Sequence, residues 1–477
     1  MPLILPGNVA SATASTTYTV ANSCRFDGSS SRLAKSSATG TSNTKGTISW
    51  WLKRGKLGVA ERFINSNNVY GAPGYLQMYF ETGDTLRIQV FGGAGSTTEF
   101  ITDRKFRDPN AWYHMVFSYD STPATPSSSS IRLFINGTQE TSFSTETYAS
   151  QNVVHYFHEG NFQVGSTTSG SYFSGYMAEV VMCDGQAYAA SDFGEFDSDS
   201  PTIWKPKDVS GLTFGDNGFY LDFEDSANLG NDANGGTDFG ETNLAAADQA
   251  TDTPTNNFCI MSPVISSSYP ILSGGNNIVT GISTNNGNTA ASMAVQAGKW
   301  YAEVEFDAIN GDYPGVGMWQ LSHSAYGRCV NGGNNNEPGD DPAGFEYNPE
   351  GEVKVNTSWS AFGSAVSAGD IVQIALDCDN GAAYVGVEGV WQGSGDPTSG
   401  ASKTGAAVTW TPADKPQGVA FGENCYNGSV TKWNFGGSPA FTVSSGNADA
   451  NGYGNFEYAV PSGYYALCTK NLGEFGG

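Results

Sequence analysis

Between Cys24 and about Asp225 the chain alternates short apolar runs with clusters of Gly, Ser and Asn. The runs Thr47–Trp51, Tyr75–Phe80, Leu86–Phe91, Trp112–Tyr119, Ile131–Asn136 and Tyr176–Cys183 are all of strand length. Asn136-Gly137 directly follows Ile131-Arg-Leu-Phe-Ile, and that dipeptide supplies the positive φ of a two-residue hairpin turn. A second block of the same character runs from about Ile271 to Gly437. There, taking Asn380-Gly381 as a two-residue turn sets Cys378 opposite Ala383, Leu376 opposite Val385 and Ile374 opposite Val387. All three pairs are apolar and share one face, while Gln373 and Asp377 occupy the other, as in a sheet buried on one side. No amphipathic helical pattern of about 12 residues or more interrupts the strands. The pattern predicts an all-β protein built of two β-sandwich domains.

Punctuation sets the expected boundaries. Residues 1–20 form an N-terminal arm, 21–225 the first sandwich and 269–437 the second. Between them, 226–268 shifts to Asn, Asp, Gly, Thr and Ala, with Gly230-Asn-Asp-Ala-Asn-Gly-Gly236 and Asp252-Thr-Pro-Thr-Asn-Asn257 as its most polar stretches, and reads as a linker. Leu244, Phe258, Ile260 and Met261 give this linker apolar anchors. The last stretch, 438–477, holds Tyr453, Phe456, Tyr458, Tyr464, Tyr465 and Ala466-Leu-Cys468, so a docked tail is expected.

Composition narrows the partners. Of 477 residues, 47 are acidic and 22 are Lys or Arg, a formal charge of −25 that repels phosphate backbones and anionic lipid, so no nucleic acid is expected. The opening Met1–Leu5 lacks a basic region and a long apolar core, and no later stretch approaches a membrane span. The chain is therefore expected neither to be exported by a signal peptide nor to insert into a membrane. Seven scattered cysteines (Cys24, Cys183, Cys259, Cys329, Cys378, Cys425 and Cys468) with no C-x-x-C pair predict reduced, buried thiols.

The first block resembles a laminin-G-like, concanavalin A-type jelly roll. The resemblance lies in Cys24-Arg-Phe-Asp-Gly28, Trp112-Tyr-His-Met-Val-Phe-Ser-Tyr-Asp120, Ile131-Arg-Leu-Phe-Ile-Asn-Gly137 and Gly175-Tyr-Met-Ala-Glu-Val-Val181, with Glu179 where that family usually has Asp. The second block resembles a SPRY domain through Gly298-Lys-Trp-Tyr-Ala-Glu-Val-Glu305, Pro314-Gly-Val-Gly317, Gly369-Asp-Ile-Val372, Ala375-Leu-Asp-Cys378, Gly389-Val-Trp391 and Trp433-Asn-Phe-Gly436. The whole arrangement is similar to structural proteins of tailed phages infecting marine bacteria. That similarity rests on Met1-Pro-Leu-Ile-Leu, Asp252-Thr-Pro-Thr-Asn-Asn-Phe258 and Val460-Pro-Ser-Gly-Tyr-Tyr-Ala-Leu-Cys-Thr-Lys-Asn-Leu472. It implies a virion component, made in a bacterial cytoplasm and released by lysis, with other virion proteins as partners and a homo-oligomeric or multicopy arrangement.

Glu303, Glu305 and Asp307 alternate against Val304, Phe306 and Ala308, so their carboxylates share one strand face. Their spacing differs from the Glu-x-Asp-x-x-Glu of laminarinase-type enzymes, and a solvated outer face is the reading adopted, with no catalytic residues. His155 and His158 lie three apart and point to opposite faces of a strand, so they read as surface or packing side chains. Asp222, Asp225 and Asp232, and Asp340 and Asp341, offer hard oxygen ligands; calcium is a candidate ion, supported by the laminin-G resemblance, though no cofactor is required.

Trp319, Tyr326, Trp359, Trp391 and Tyr426 fall at expected strand ends or loops of the second block, beside Asn331, Asn334 and Asn335. Aromatic platforms with amides suit the stacking and hydrogen bonding of sugar rings. The expected function is that of a non-enzymatic virion protein displayed on the particle and binding host-surface glycan or protein. A decoration protein with a purely assembly role and a glycan-cleaving enzyme are the alternatives.

Overall fold

The computed structural model describes residues 18–37, 40–66, 74–92, 96–157, 160–167, 170–311, 314–321, 337–340, 342, 344–414 and 418–476. They fall into two compact units divided in sequence between Thr255 and Asn256. Both are antiparallel β-sandwiches, and the one α-helix among the described residues is the seven-residue Thr469–Phe475.

In the first unit one sheet runs, in spatial order, Thr138–Gln139, Ile131–Ile135, Trp112–Asp120, Lys45–Arg54, Ser174–Asp184, Ser23–Asp27 and Gln249–Ala250, with Phe219–Leu221 also paired to Ser174–Asp184. The facing sheet runs Phe143–Thr147, Thr97–Lys105, Thr85–Phe91, Tyr75–Phe80, Glu61–Ser66, Gly160–Val164, Arg32–Ser37 and Gly240–Thr242. Period-two alternation does its expected work in Thr85–Phe91, where Leu86, Ile88 and Val90 are buried and Thr85, Arg87 and Gln89 are not. Asn136 (φ 47°) and Gly137 (φ 78°) form the two-residue turn read from sequence, with Ile135 facing Thr138. The central strands Lys45–Arg54 and Ser174–Asp184 are buried on both faces. Val116, Phe134, Val181, Phe193, Val209 and Phe214 form a second apolar layer outside their sheet. Within Ser174–Asp184 the register with Lys45–Arg54 shifts between Ala178 and Val181. Glu179 sits in that bulge at φ 49°, where its carboxylate accepts from Tyr18 (3.0 Å) and Tyr220 (2.8 Å).

The expected linker is folded. Gly240–Thr242 and Gln249–Ala250 extend the two sheets of the first unit, Leu229 and Phe239 join its core, and Met261–Ser266 pairs with Gly287–Ala291 in the second. Asp232 and Asp252 explain why a polar stretch can be so placed, because each neutralises a buried lysine. Asp252 meets Lys53 Nζ at 2.6 Å and Asp232 meets Lys35 Nζ at 3.3 Å. The end of the N-terminal arm is packed as well, with Val20 buried among Trp51, Trp112 and Tyr176.

The second unit has one sheet in the order Met261–Ser266, Gly287–Ala291, Val419–Cys425, Gly315–Gln320, Phe345–Tyr347, Glu352–Val355 and Ser358–Ala361. The other runs Pro270–Ser273, Ile278–Gly281, Val430–Asn434, Lys299–Ala308, Ile371–Asp377, Ala382–Val387 and Val390–Trp391. The hairpin between Ile371–Asp377 and Ala382–Val387 is two residues out from the sequence reading, with Leu376 facing Ala383, Ile374 facing Val385 and Val372 facing Val387. Its turn takes four residues because Asp377 holds the Asn380 amide and side chain, and only Gly381 adopts positive φ. A shift of two leaves every side chain on its expected face.

That sheet's outer face, however, is not solvated. The C-terminal segment lies over it, pairing Tyr465–Ala466 with Trp300 and Tyr301 and packing Phe456, Tyr464 and Cys468 against Tyr301, Ala375 and Tyr384. Gln373, Asp377 and Glu303 are therefore buried, against the expectation of an exposed polar face.

Burial pushes five glutamates upward: Glu61 and Glu423 to about 8, Glu179 and Glu303 to about 7, and Glu346 well above its usual range. From about pH 4.5 to 8 the folded chain keeps protons that the unfolded chain has released, so stability falls as pH rises through that window. Thermal melts at pH 5.5 are expected several degrees above those at pH 8.5. Equal or lower midpoints at pH 5.5 would refute this. The six described cysteines, all but Cys329, are buried and unbridged.

Candidate binding site

The sequence candidates separate. Trp319 is fully buried, donates from Nε1 to the Thr289 carbonyl (3.0 Å) and lies among Ile265, Ala290, Leu321 and Ala420. Gly422 makes room for its ring, since a Cβ there would stand 2.2 Å from the indole. Trp319 is core, correcting its reading as a rim residue. Tyr426 is half-buried in the turn after Val419–Cys425, and Trp391 is half-buried against the layer formed by the C-terminal segment. Tyr326, Asn331, Asn334, Asn335, Asp341, Cys329 and His158 lie outside the described residues. His155 is fully buried, its Nε2 2.8 Å from the Lys45 carbonyl, and serves packing.

The acidic candidates are occupied locally. Asp232 receives the Tyr220 amide and Lys35, Asp222 caps the Glu224 amide, and Asp225 caps that of Ala227. Asp340 pairs with Lys354 at 2.7 Å and receives the Glu337 amide. No group of three or more His, Cys, Asp or Glu side chains among the described residues could hold a metal ion. The described ones among these carboxylates are therefore not gathered into the calcium cluster for which they were singled out. Glu303 is likewise taken. It accepts from Tyr301, Asn434 and the amides of Glu457 and Tyr458, while Glu305 and Asp307 share Lys432.

Among the described aromatic candidates Trp359 is the exposed one, at 38%, and the chain around it is built into a site. In Glu352–Val355 both Val353 and Lys354 are buried, while Glu352 and Val355 are half-buried. Asn356 (φ 49°) and Thr357 (φ 66°) then close a two-residue turn into Ser358–Ala361. A β-branched residue in the left-handed region is strained, and the turn is held by the Thr357 amide donating to Gly339 (3.0 Å). The register sets Trp359 beside Lys354 and Lys354 beside Glu346, one row across three strands.

The row runs from solvent into the interior. Lys354 Nζ lies 5.7 Å from the Trp359 ring centroid and also binds Glu337 and Asp340. Burial opposes its charge, yet the carboxylates of Asp340 and Glu337 hold the ammonium above its usual range. Glu337 takes the Asn286 side-chain amide at 2.5 Å. Behind them Glu346 is fully buried, Oε1 accepting from Asn424 at 3.3 Å and Oε2 meeting no hydrogen-bond donor among the described residues. Gly315 is required beneath it, since a Cβ there would fall 2.2 Å from that Oε1. Chemically the result is an exposed indole fixed over an ammonium, flanked by carboxylate and amide groups at its base. Lys354, Glu346 and Asn286 were not singled out from sequence. The two-residue alternation over Glu352–Val355 was the available signal.

Residues 27–189 match the family model described as Laminin_G_3, the concanavalin A-like lectin/glucanases superfamily. No curated protein matches the chain. Among solved structures, the SPRY domain of human HERC1 is similar at 15% identity over 36% of this chain and 96% of its own, with a TM-score of 0.27. The native heptameric SAP-like pentraxin from Limulus polyphemus is similar at 12% identity over 35% and 77%, with a TM-score of 0.26. No helix among the described residues is long and apolar enough to cross a membrane. The chain is thus an all-β protein that contains a concanavalin A-like domain.

Proposed function

We propose that this protein is a non-enzymatic structural component of a phage virion, carried in many copies beside other virion proteins, and that it binds host-surface glycan through the Trp359 face of its second sandwich. The exposed Trp359 indole, oriented by Lys354 and bordered by Glu337, Asp340 and Asn286, carries the binding reading. An aromatic face presents the apolar side of a sugar ring with a complementary surface, and the neighbouring amide and carboxylate groups can meet its hydroxyls. Support for a virion role comes from the short N-terminal, central and C-terminal strings described above, and unbridged buried thiols suit assembly in a reducing cytoplasm. Support for binding without hydrolysis comes from the carboxylates of Lys299–Ala308, all of which are engaged by donors of the fold itself.

Purified full-length protein is expected to bind bacterial surface polysaccharide on an array, and Trp359→Ala to weaken it by about 1–2 kcal/mol, roughly 5- to 30-fold. The melt should be nearly unchanged, because Trp359 lies on an exposed edge strand. Failure of the wild type to bind any polysaccharide or intact bacterium is what a purely assembly role predicts. Release of new reducing ends would instead mark a glycan-cleaving enzyme.

A further inference from the structure

The first sandwich has a cavity of its own. Residues 185–218, between the strands Ser174–Asp184 and Phe219–Leu221, fold back over the outer sheet face, and Gly194–Phe196 pairs there with Trp204–Pro206. The fold-back leaves an open pocket of about 360 Å³, mostly apolar, whose lining includes Phe134, Ser191, Glu195, Phe196, Trp204 and Lys207.

Trp204 is held rigidly. Its indole occupies the space above Gly137 and Gly194, where a Cβ would come within 2.2 and 2.6 Å of ring atoms. Its Nε1 donates to His114 Nδ1 at 2.9 Å, and His114 Nε2 lies 2.8 Å from Ser49 Oγ. Because the indole nitrogen can only donate, His114 accepts at Nδ1 and carries its proton on Nε2. Burial lowers the His114 pKa to about 3, so the imidazole stays neutral and the arrangement persists across ordinary pH. Behind it Trp51 stacks on His114 with centroids 4.6 Å apart. Phe196, 45% exposed, stands 4.9 Å from Trp204 at 71°, so the two rings form an aromatic corner opening on the pocket.

Charge selects the occupant. Glu195 and Asp197 share Lys205, at 3.5 and 3.3 Å. Lys207, at the rim, donates to the Ser191 carbonyl at 3.1 Å and has no carboxylate partner among the described residues. In a chain with 47 acidic residues, an ammonium left without a carboxylate beside the Phe196–Trp204 corner is a cation available to a ligand. We infer that this pocket binds an acidic sugar, a uronic acid unit of a polysaccharide. The apolar ring face lies in the Phe196–Trp204 corner, and the carboxylate meets Lys207. This site is on a different sandwich from Trp359 and does not depend on the reading given to that residue.

The test uses full-length protein and short homo-oligomers of galacturonate, glucuronate, mannuronate and guluronate, with neutral galactose and glucose oligomers as controls, titrated by tryptophan fluorescence and calorimetry. At least one uronate oligomer should bind in preference to the neutral sugars. Phe196→Ala and Lys207→Gln should each weaken it about 5- to 30-fold with unchanged melts, while Ile271→Ala, at an exposed position of the second sandwich, should leave it unaltered. Added salt should weaken uronate binding. The inference is overturned if no uronate binds, if neutral and acidic oligomers bind alike, or if the Phe196 and Lys207 variants bind as the wild type does. Loss with Trp359→Ala alone would place uronate binding on the second sandwich and equally overturn it.

Discussion

Asp252→Ala is expected to destabilise the first sandwich by about 3–5 kcal/mol, the cost of leaving a buried charge without its partner. Asp252 and Lys53 are both almost fully buried and 2.6 Å apart, and the other Asp252 oxygen receives Trp112 Nε1 at 3.1 Å. The alanine variant removes the one carboxylate that both the Lys53 ammonium and the Trp112 indole N–H bind. Replacing both members, Lys53→Met with Asp252→Leu, should recover much of the loss, because the charge disappears with its counterion. Denaturant midpoints of the three proteins decide the matter. A cost below about 1 kcal/mol for Asp252→Ala would mean that Lys53 finds water or another anion, contrary to its burial.

Glu303→Ala is expected to have a comparable effect on the second sandwich, about 3–5 kcal/mol. The Glu303 carboxylate accepts from Tyr301 (2.9 Å), Asn434 (3.2 Å), the Glu457 amide (2.9 Å) and the Tyr458 amide (2.8 Å). Two of those donors are backbone groups of the C-terminal segment, so the side chain fastens that segment to the sheet. The variant should expose the segment to limited proteolysis well before global unfolding, as well as lowering the melt. Glu305→Ala, two residues along the same strand and partly exposed, removes only an ion pair to Lys432 and should cost less than about 1 kcal/mol. Similar losses for the two variants, or a protease-resistant tail in Glu303→Ala, would contradict this role.

Glu303 also shows where sequence reasoning stopped. Its alternation with Val304 was read correctly as two faces of one strand, but which layer covers the polar face depends on residues 154 and 155 positions later. The same holds for Trp319. An aromatic at a strand end looks like a rim platform until Gly422, on the neighbouring strand, is seen to make space for it. Trp359 is exposed because its edge strand has no further neighbour to bury it. The Phe196–Trp204 pocket left no trace in the pattern, since its walls come from the strand Ile131–Ile135, the hairpin turn at Gly137 and the fold-back.

Local order was legible because it depends on near neighbours. Short apolar runs of strand length marked Tyr75–Phe80 and Trp112–Tyr119, Asn136-Gly137 specified its turn through the φ values those residues tolerate, and the face of each residue in Ile371–Asp377 survived even a register error. Burial of polar groups was not legible, because a carboxylate's fate depends on partners distant in sequence. Asp252 in a stretch of linker composition looks solvated, and only the sheet that brings Lys53 and Trp112 against it turns it into a buried counterion. The sequence by itself determined two antiparallel sandwiches and the face each strand residue takes. The tertiary structure decided which polar faces lie under a third layer, which aromatic rings reach solvent and which charges are left for a ligand, since these depend on long-range packing rather than periodicity.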